Sequence, residues 1–352
     1  MRPAGGLAAR PPVRYIFEMQ AESDDAPAGG VSPPTPRPEL TTLGSRTRES
    51  LRGDAPGDET LSTGPLSPLS LYPLTPAQRQ LVARWAPGAD VVADHSWGLM
   101  GTTVLELVRP DGEHLVVKAG DAADTHIARE IRAHESWLGP WASLGRAPAL
   151  VAADRDAKLL LTRYLPGTLV LGHPCEHDPD TYRQAGELLA SLHAQLTVSD
   201  DGQFARREQA DALAWLARPH RIDADDARVL EDAIRRWPTP AQSVVPTHGD
   251  WHPRNWLVHA GQIRAIDLGR ADLRPAATDL IRLAFLRFGD APELERAFLD
   301  GYGRDPREPG AWQRTRVREA VSAAAWGYAH ATPELEDAGL RQVATLVREL
   351  GG

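Results

Sequence analysis

The apolar and polar positions of this chain divide it into three stretches. Residues 1–70 hold no persistent helical or strand period and contain 11 of the 30 Pro and 8 of the 30 Gly, a composition that predicts a disordered leader. From residue 71 the pattern is globular. LTPAQRQLVARWAP (74–87) predicts a short helix, with Thr75 as N-cap, Pro76 at the first position, and Leu81, Val82 and Trp85 as its apolar positions. VVADHSW (91–97), TTVLELV (102–108) and HLVVKA (114–119) predict an antiparallel meander, with GLMG joining the first two strands and a tight turn at PDG (110–112) joining the last two. A helix is predicted over 124–141, with Ile127, Ile131 and Leu138 apolar, followed by strands over 148–154 and 158–165. LPG (165–167) reads as a hinge. Beyond it the pattern is mainly helical, over 181–196, 206–217, 223–236, 276–288, 311–330 and 334–350. The expected organisation is a leader (1–70), a small β-rich lobe with one helix (71–165) and a larger helical lobe (166–352).

The length of 352 residues independently favours two lobes. A net charge of −9 argues against nucleic acid as a partner. The single cysteine, Cys175, excludes an internal disulfide and a Cys-based zinc cluster, and suits a reducing compartment. No run approaches 18 uninterrupted apolar residues, and the N-terminus lacks an apolar segment of signal-peptide length. A cytoplasmic protein with no membrane partner is therefore expected. Of 39 basic residues only Lys118 and Lys158 are Lys, and Asn255 is the one Asn in the chain. In a composition so biased, a Lys or Asn at a given position is more informative than usual.

The densest chemistry is in HGDWHPRNWLV (248–258). Phosphoryl transfer from a nucleotide needs a carboxylate to orient a hydroxyl, oxygen ligands for Mg²⁺, and cations for the phosphates. This stretch offers Asp250 and, five residues on, the amide of Asn255. Twelve residues further, QIRAIDLG places Asp267 at the end of an apolar run. Asp and Asn oxygens are hard ligands suited to Mg²⁺.

HGDWHPRN followed by IDLG resembles the catalytic signature of the aminoglycoside phosphotransferase and choline kinase group, relatives of the protein kinases. The resemblance covers about residues 91–290. It implies an α+β, bilobal protein-kinase-like fold, with an antiparallel N-lobe sheet carrying one helix, a larger helical C-lobe and the active site between them. It implies Asp250 as catalytic base, Asn255 and Asp267 as Mg²⁺ ligands, His248 as a loop anchor and Asp279 of TDLIRL as a loop brace. Upstream it implies Lys118 as the phosphate-pairing lysine, held by Glu130 on the following helix. SWGLMGTT (96–103), with Ser96, Gly98 and Gly101, resembles the loop over the phosphates. LTRYLPG resembles the adenine-binding strand and linker, so the backbone from Thr162 to Tyr164 is expected at the base. The implied reaction moves the γ-phosphoryl of ATP or GTP to a hydroxyl of an aminoglycoside or another antibiotic-like acceptor, with Mg²⁺ as cofactor.

Other readings of the same residues stay open. His248, Asp250 and His252 have spacing that also suits a Zn²⁺ hydrolase. Glu135 rivals Glu130, since five helical residues turn about 140° and only one of the two can face the strand. Trp251 and Trp256 either pack the loop or, for Trp251, line an acceptor pocket. His193 reads as a core or loop-bracing residue. Arg254 and Arg270 flank the expected metal site. A choline-, sugar- or amino-alcohol-like acceptor and a non-catalytic nucleotide-binding protein of the same fold are the alternative functions.

Overall fold

The computed structural model describes residue 71 and residues 74–96 and 101–351. The leader read at 1–70 and Gly98 lie outside the described residues. Helix α1 (Pro76–Trp85) starts as its sequence dictates: the Thr75 hydroxyl accepts from Gln78 N–H, and the Gln78 side-chain oxygen accepts from Thr75 N–H at 2.9 Å. Strands β1 (Asp90–Asp94), β2 (Thr102–Val108) and β3 (His114–Gly120) follow. The helix expected over 124–141 is broken into α2 (His126–Ser136) and α3 (Gly139–Ser143). Pro140 has no N–H to donate into a continuing helix, so the chain stops and restarts with Pro140 in a first turn, where that donor is not needed. Strands β4 (Leu150–Asp154) and β5 (Leu159–Arg163) complete an antiparallel sheet of order β1-β2-β3-β5-β4.

The strand period of two gives this sheet two different faces. Leu105, Leu107, Leu115, Val117, Leu159 and Leu161 point to one side and pack with Leu74 and Val82 of the α1 segment. Lys118 and Leu160, opposite one another in the β3–β5 register, belong to the other side, where Leu160 packs on Ile127 and Ile131 of α2. The alternation thus delivers Lys118 to the face that α2 covers.

The second lobe contains β6 (Thr168–Leu169), α4 (Pro179–His193), β7 (Val198–Asp200), α5 (Gln203–Leu216), α6 (Ala224–Arg235), β8 (Gln242–Thr247), β9 (Trp256–His259), β10 (Gln262–Ala265) and β11 (Asp272–Arg274). A single turn, α7 (Ile281–Leu283), and helices α8 (Pro292–Tyr302), α9 (Pro309–Ala329) and α10 (Pro333–Gly351) follow. Its short strands form two three-stranded sheets, β10-β9-β6 and β11-β8-β7. Helix α8 was not expected, although Leu294, Phe298 and Tyr302 recur every fourth residue and are buried. Residues 276–288 are not the one helix expected: a 3-10 turn (Ala276–Leu280), α7 and a π turn (Ala284–Phe288) succeed one another. Side chains of Asp279, Arg282 and Arg287 reach from this stretch to three other parts of the lobe, and the backbone changes pitch to serve them.

Helices α4 and α8 touch backbone to backbone. A Cβ on Gly186 would collide with the Phe298 carbonyl, and one on Gly301 with the Arg183 carbonyl. Around this seam lies the largest buried cluster, which includes Tyr182, Leu189, Phe298, Trp251 and Trp256. Helix α2 is bonded across to the second lobe: Arg129 Nε donates to Gly269 O (3.0 Å), and Arg132 Nη2 donates to Ala271 O (3.1 Å) and Asp272 Oδ1 (2.8 Å). Among the described residues no helix is long and apolar enough to cross a membrane.

Candidate active site

A cavity of about 500 Å³ opens between the five-stranded sheet and the 250–270 region. Lys118, Glu130, Thr162, Tyr164, Asp250, Asn255 and Asp267 all line it. Seven of the residues singled out in the sequence, spread over 149 positions, therefore meet in one cleft. Ser96 does not line it: its hydroxyl accepts from Val104 N–H (2.9 Å) and fixes the start of the loop instead. Gly101 backs onto Asp121, whose carboxylate accepts from Ala123 and Asp124 N–H, so a side chain at 101 would displace that turn.

Lys118 Nζ donates to both oxygens of Glu130 (2.9 and 3.0 Å) and to Asp267 Oδ1 (3.2 Å). Glu130 is the carboxylate against the lysine; Glu135 points away and pairs with Arg155. Burial alone would push the Lys118 ammonium down, but Asp267 and Glu130 outweigh it and raise its pKa above the ordinary lysine value. Glu130 is raised, by burial first, with Lys118 opposing. Asp267 is held down at about 2, chiefly by Lys118, and it stays ionised across the working pH range. Its side chain is 47 % exposed into the cleft. Its φ of +64° is one that Asp tolerates better than most residues.

The loop carrying Asp250 is built from behind. Asp279, fully buried, accepts from His248 N–H (2.8 Å), Gly249 N–H (2.6 Å) and His193 Nε2 (3.0 Å), and His193 Nδ1 lies 2.7 Å from the Tyr302 hydroxyl. Gly249 has φ +82°, and a Cβ there would strike the Arg270 carbonyl, which is why the residue before Asp250 is Gly. His248 spends both ring nitrogens on backbone, Nδ1 toward Asp250 N–H (3.3 Å) and Nε2 toward Ile266 O (3.1 Å). It is an anchor and has no nitrogen left for Zn²⁺. Among the described residues no group of three or more His, Cys, Asp or Glu side chains is arranged to hold a metal.

The Pro253–Asn255 3-10 turn brings Asn255 back over Asp250. Its Nδ2 donates to Asp250 O (2.8 Å) and Oδ2 (3.1 Å), which leaves the amide oxygen as the end of the group still to be used. Burial alone would raise the Asp250 carboxyl, but His252, Arg270 and Arg282 hold it well below the ordinary carboxylate value. Sequence reasoning missed Arg282. Its Nε lies 3.6 Å from Asp250 Oδ1, and its Nη1 donates to Glu319 of α9 at 2.9 Å, with Arg282 and Glu319 both buried. The only available signal was an Arg in the otherwise apolar run LIRLAF. Trp251 and Trp256 are fully buried, 5.3 Å apart between ring centroids, and pack on Trp141 and Tyr182 respectively. Neither lines the cleft, so of the two readings of Trp251 the packing one holds.

An ionised carboxylate beside a hard amide oxygen, a second ionised carboxylate and a paired lysine can bind and orient a polyphosphate with a divalent cation. Comparison with known proteins bears on the fold and the family. Solved structures of similar fold include the apo form of a thermostable mutant of aminoglycoside phosphotransferase APH(4)-Ia, at 14 % identity and TM-score 0.57, covering 78 % of this chain and 99 % of that one. A ternary complex of an APH(4)-Ia mutant with ADP and hygromycin B gives 12 % identity and TM-score 0.54, covering 79 % of this chain and 100 % of that one. A type I macrolide 2′-phosphotransferase gives 18 % identity and TM-score 0.51, covering 77 % of this chain and 98 % of that one. No curated protein matches the chain. The model of the phosphotransferase enzyme family matches residues 103–317, a span that takes in the lysine strand, the Asp250 loop, Asp267 and Arg282, and the chain belongs to that family.

Proposed function

We propose that this protein transfers the γ-phosphoryl group of ATP or GTP to a hydroxyl of a small, antibiotic-like molecule. The observation that carries this reading is the meeting of Asp250, Asn255, Asp267 and the Lys118–Glu130 pair in one cleft. Lys118 would hold the α- and β-phosphates, with Glu130 fixing the direction of its ammonium. Asp250 would accept a hydrogen bond from the acceptor hydroxyl, orient it in line with the γ-phosphorus and take its proton as the new O–P bond forms and the bond from phosphorus to the β–γ bridging oxygen breaks, releasing ADP or GDP. Arg282, His252 and Asn255 keep that carboxylate ionised and in place. Positioning and electrostatics carry most of such a reaction.

The donor set also fits Mg²⁺. Asp267 and Asn255 present oxygen to the cleft, and the Asn255 amide is turned oxygen-outward by its bonds to Asp250. When bound, the ion would neutralise charge on the phosphate oxygens. At the base end, Tyr164 N–H already donates to His114 O (3.0 Å) and Arg163 N–H to Ala149 O (2.8 Å). Neither amide is left for a nucleobase.

The acceptor reading rests on the likeness to phosphotransferases named for aminoglycosides and macrolides. One local feature chooses within it. Arg254, Arg270 and Arg282 surround Asp250, so positive charge already lies at the approach to its carboxylate. That favours a hydroxyl in a neutral setting, as on an uncharged sugar, over one crowded by ammonium groups. It also disfavours choline and amino alcohols more than a sugar-like metabolite. Acceptor-dependent formation of ADP or GDP across macrolides, aminoglycosides, sugars, choline and amino alcohols tests this. Turnover with an acceptor whose reacting hydroxyl has no ammonium neighbour, lost in Asp250→Asn, is the expected result. A true acceptor phosphorylated undiminished by Asp250→Asn would remove the catalytic assignment. Nucleotide binding with no turnover on any acceptor would favour the non-catalytic alternative.

A further inference from the structure

His134 stands on α2 one turn beyond Glu130, is 8 % exposed and lines the cleft. Its Nε2 is buried with no hydrogen-bond partner. Buried polar atoms are ordinarily satisfied, and one that faces a cavity without a partner marks a place for a ligand or a water. Burial lowers the imidazole pKa to about 4, with Lys118 adding to the effect, so the ring is neutral at any working pH. A neutral imidazole offers one donor and one acceptor and no charge, which suits a neutral polar group.

Position narrows the choice further. Lys118, Asp250, Asn255 and Asp267 mark the phosphate end of the cleft. In the β3–β5 register Lys118 faces Leu160 and Val116 faces Thr162, so the wall runs from the phosphate end through Leu160 to Thr162. Leu160 packs on Ile127 and Ile131 of α2, and His134 comes one turn after Ile131 along the same face. Pro148, two residues before the β4 strand that pairs with Thr162, closes this inner end of the cavity. Polar atoms here meet the base of a nucleotide whose phosphates are at Lys118.

We propose that His134 reads the donor nucleotide by hydrogen-bonding the substituent at position 6 of its purine, from an inner subsite bounded by Thr162 and Pro148. The inference rests on the nucleotide reading above. The test deletes the two partners separately. Binding of Mg·ATP and Mg·GTP to the full-length protein is measured by calorimetry. It is then measured with purine riboside 5′-triphosphate and 2-aminopurine riboside 5′-triphosphate, which lack the 6-amino group and the 6-oxygen. The series is repeated with His134→Leu, with His134→Met in case the first does not fold, and with His134→Gln. The wild type is expected to prefer the tighter-binding natural nucleotide over its 6-unsubstituted analogue. In the Leu or Met variant that preference should shrink on the order of five-fold, and Gln should restore part of it. Melting temperature should not fall, since no protein hydrogen bond is lost. An unchanged preference would overturn the proposal and leave His134 with a buried water or a packing role. Failure of the wild type to bind either natural nucleotide would instead overturn the nucleotide reading itself.

Discussion

Asp250 is a carboxylate under tension between burial and its cationic neighbours, and its replacements should separate chemistry from scaffold. Asp250→Asn is expected to lower acceptor-dependent turnover by roughly 10²–10⁴-fold with little change in nucleotide affinity, read by steady-state kinetics beside calorimetry. Arg282→Met should act differently, because it strands buried Glu319. We expect a loss of about 3 kcal/mol in urea denaturation, at the low end for a broken buried pair since Arg318 stays 3.3 Å from Glu319. The double change Arg282→Met with Glu319→Met should recover much of it. His134 gives a pH signature. Its folded pKa of about 4 lies below the 6.5 of the free side chain, so only the unfolded chain gains a proton between those values. Its contribution is present above pH 6.5 and is lost as pH falls toward 4, by about 3 kcal/mol. The stability difference between wild type and His134→Gln should change across that window and not above it. That Lys118, Asp250, Asn255 and Asp267 belong together was legible in the sequence because their order and spacing resemble a known signature. Arg282 and Glu319 were not, because their meaning lies in a contact between residues 37 positions apart.

At the level of elements, local rules were readable and tertiary constraints were not. The α1 capping box and Pro76 could be read directly. The break at Pro140 was a local signal overridden by the amphipathic pattern around it. Helix α8 and the changing pitch of 276–288 depend on what they pack against. The α4–α8 seam is the sharpest case, since its two glycines are spent on backbone approach. Gly301→Ala should destabilise by roughly 1–3 kcal/mol, as overpacking does, measured as a lower midpoint of thermal unfolding. A glycine with no such neighbour, Gly289, should tolerate Ala.

Over the whole molecule, the order of a strand-rich lobe, a short hinge and a helical lobe was visible in the switch of hydrophobic period from two to about four. The small sheets β10-β9-β6 and β11-β8-β7 escaped because all their strands but the six-residue β8 have only two to four residues, too few to carry a period. If Asp267 and Asn255 hold the cation as proposed, chelation with EDTA should abolish transfer and Mg²⁺ should restore it, with the fold unchanged by circular dichroism. One contact set bears on motion. Helix α2 is fastened by Arg129 and Arg132 to residues 269–272 of the second lobe, whereas Lys118 rides on the sheet. Lys118–Glu130, with Lys118–Asp267 beside it, is thus the ionic tie between the sheet and this fastened helix, and any relative movement of the two would have to break it together with the Leu160 contacts to Ile127 and Ile131.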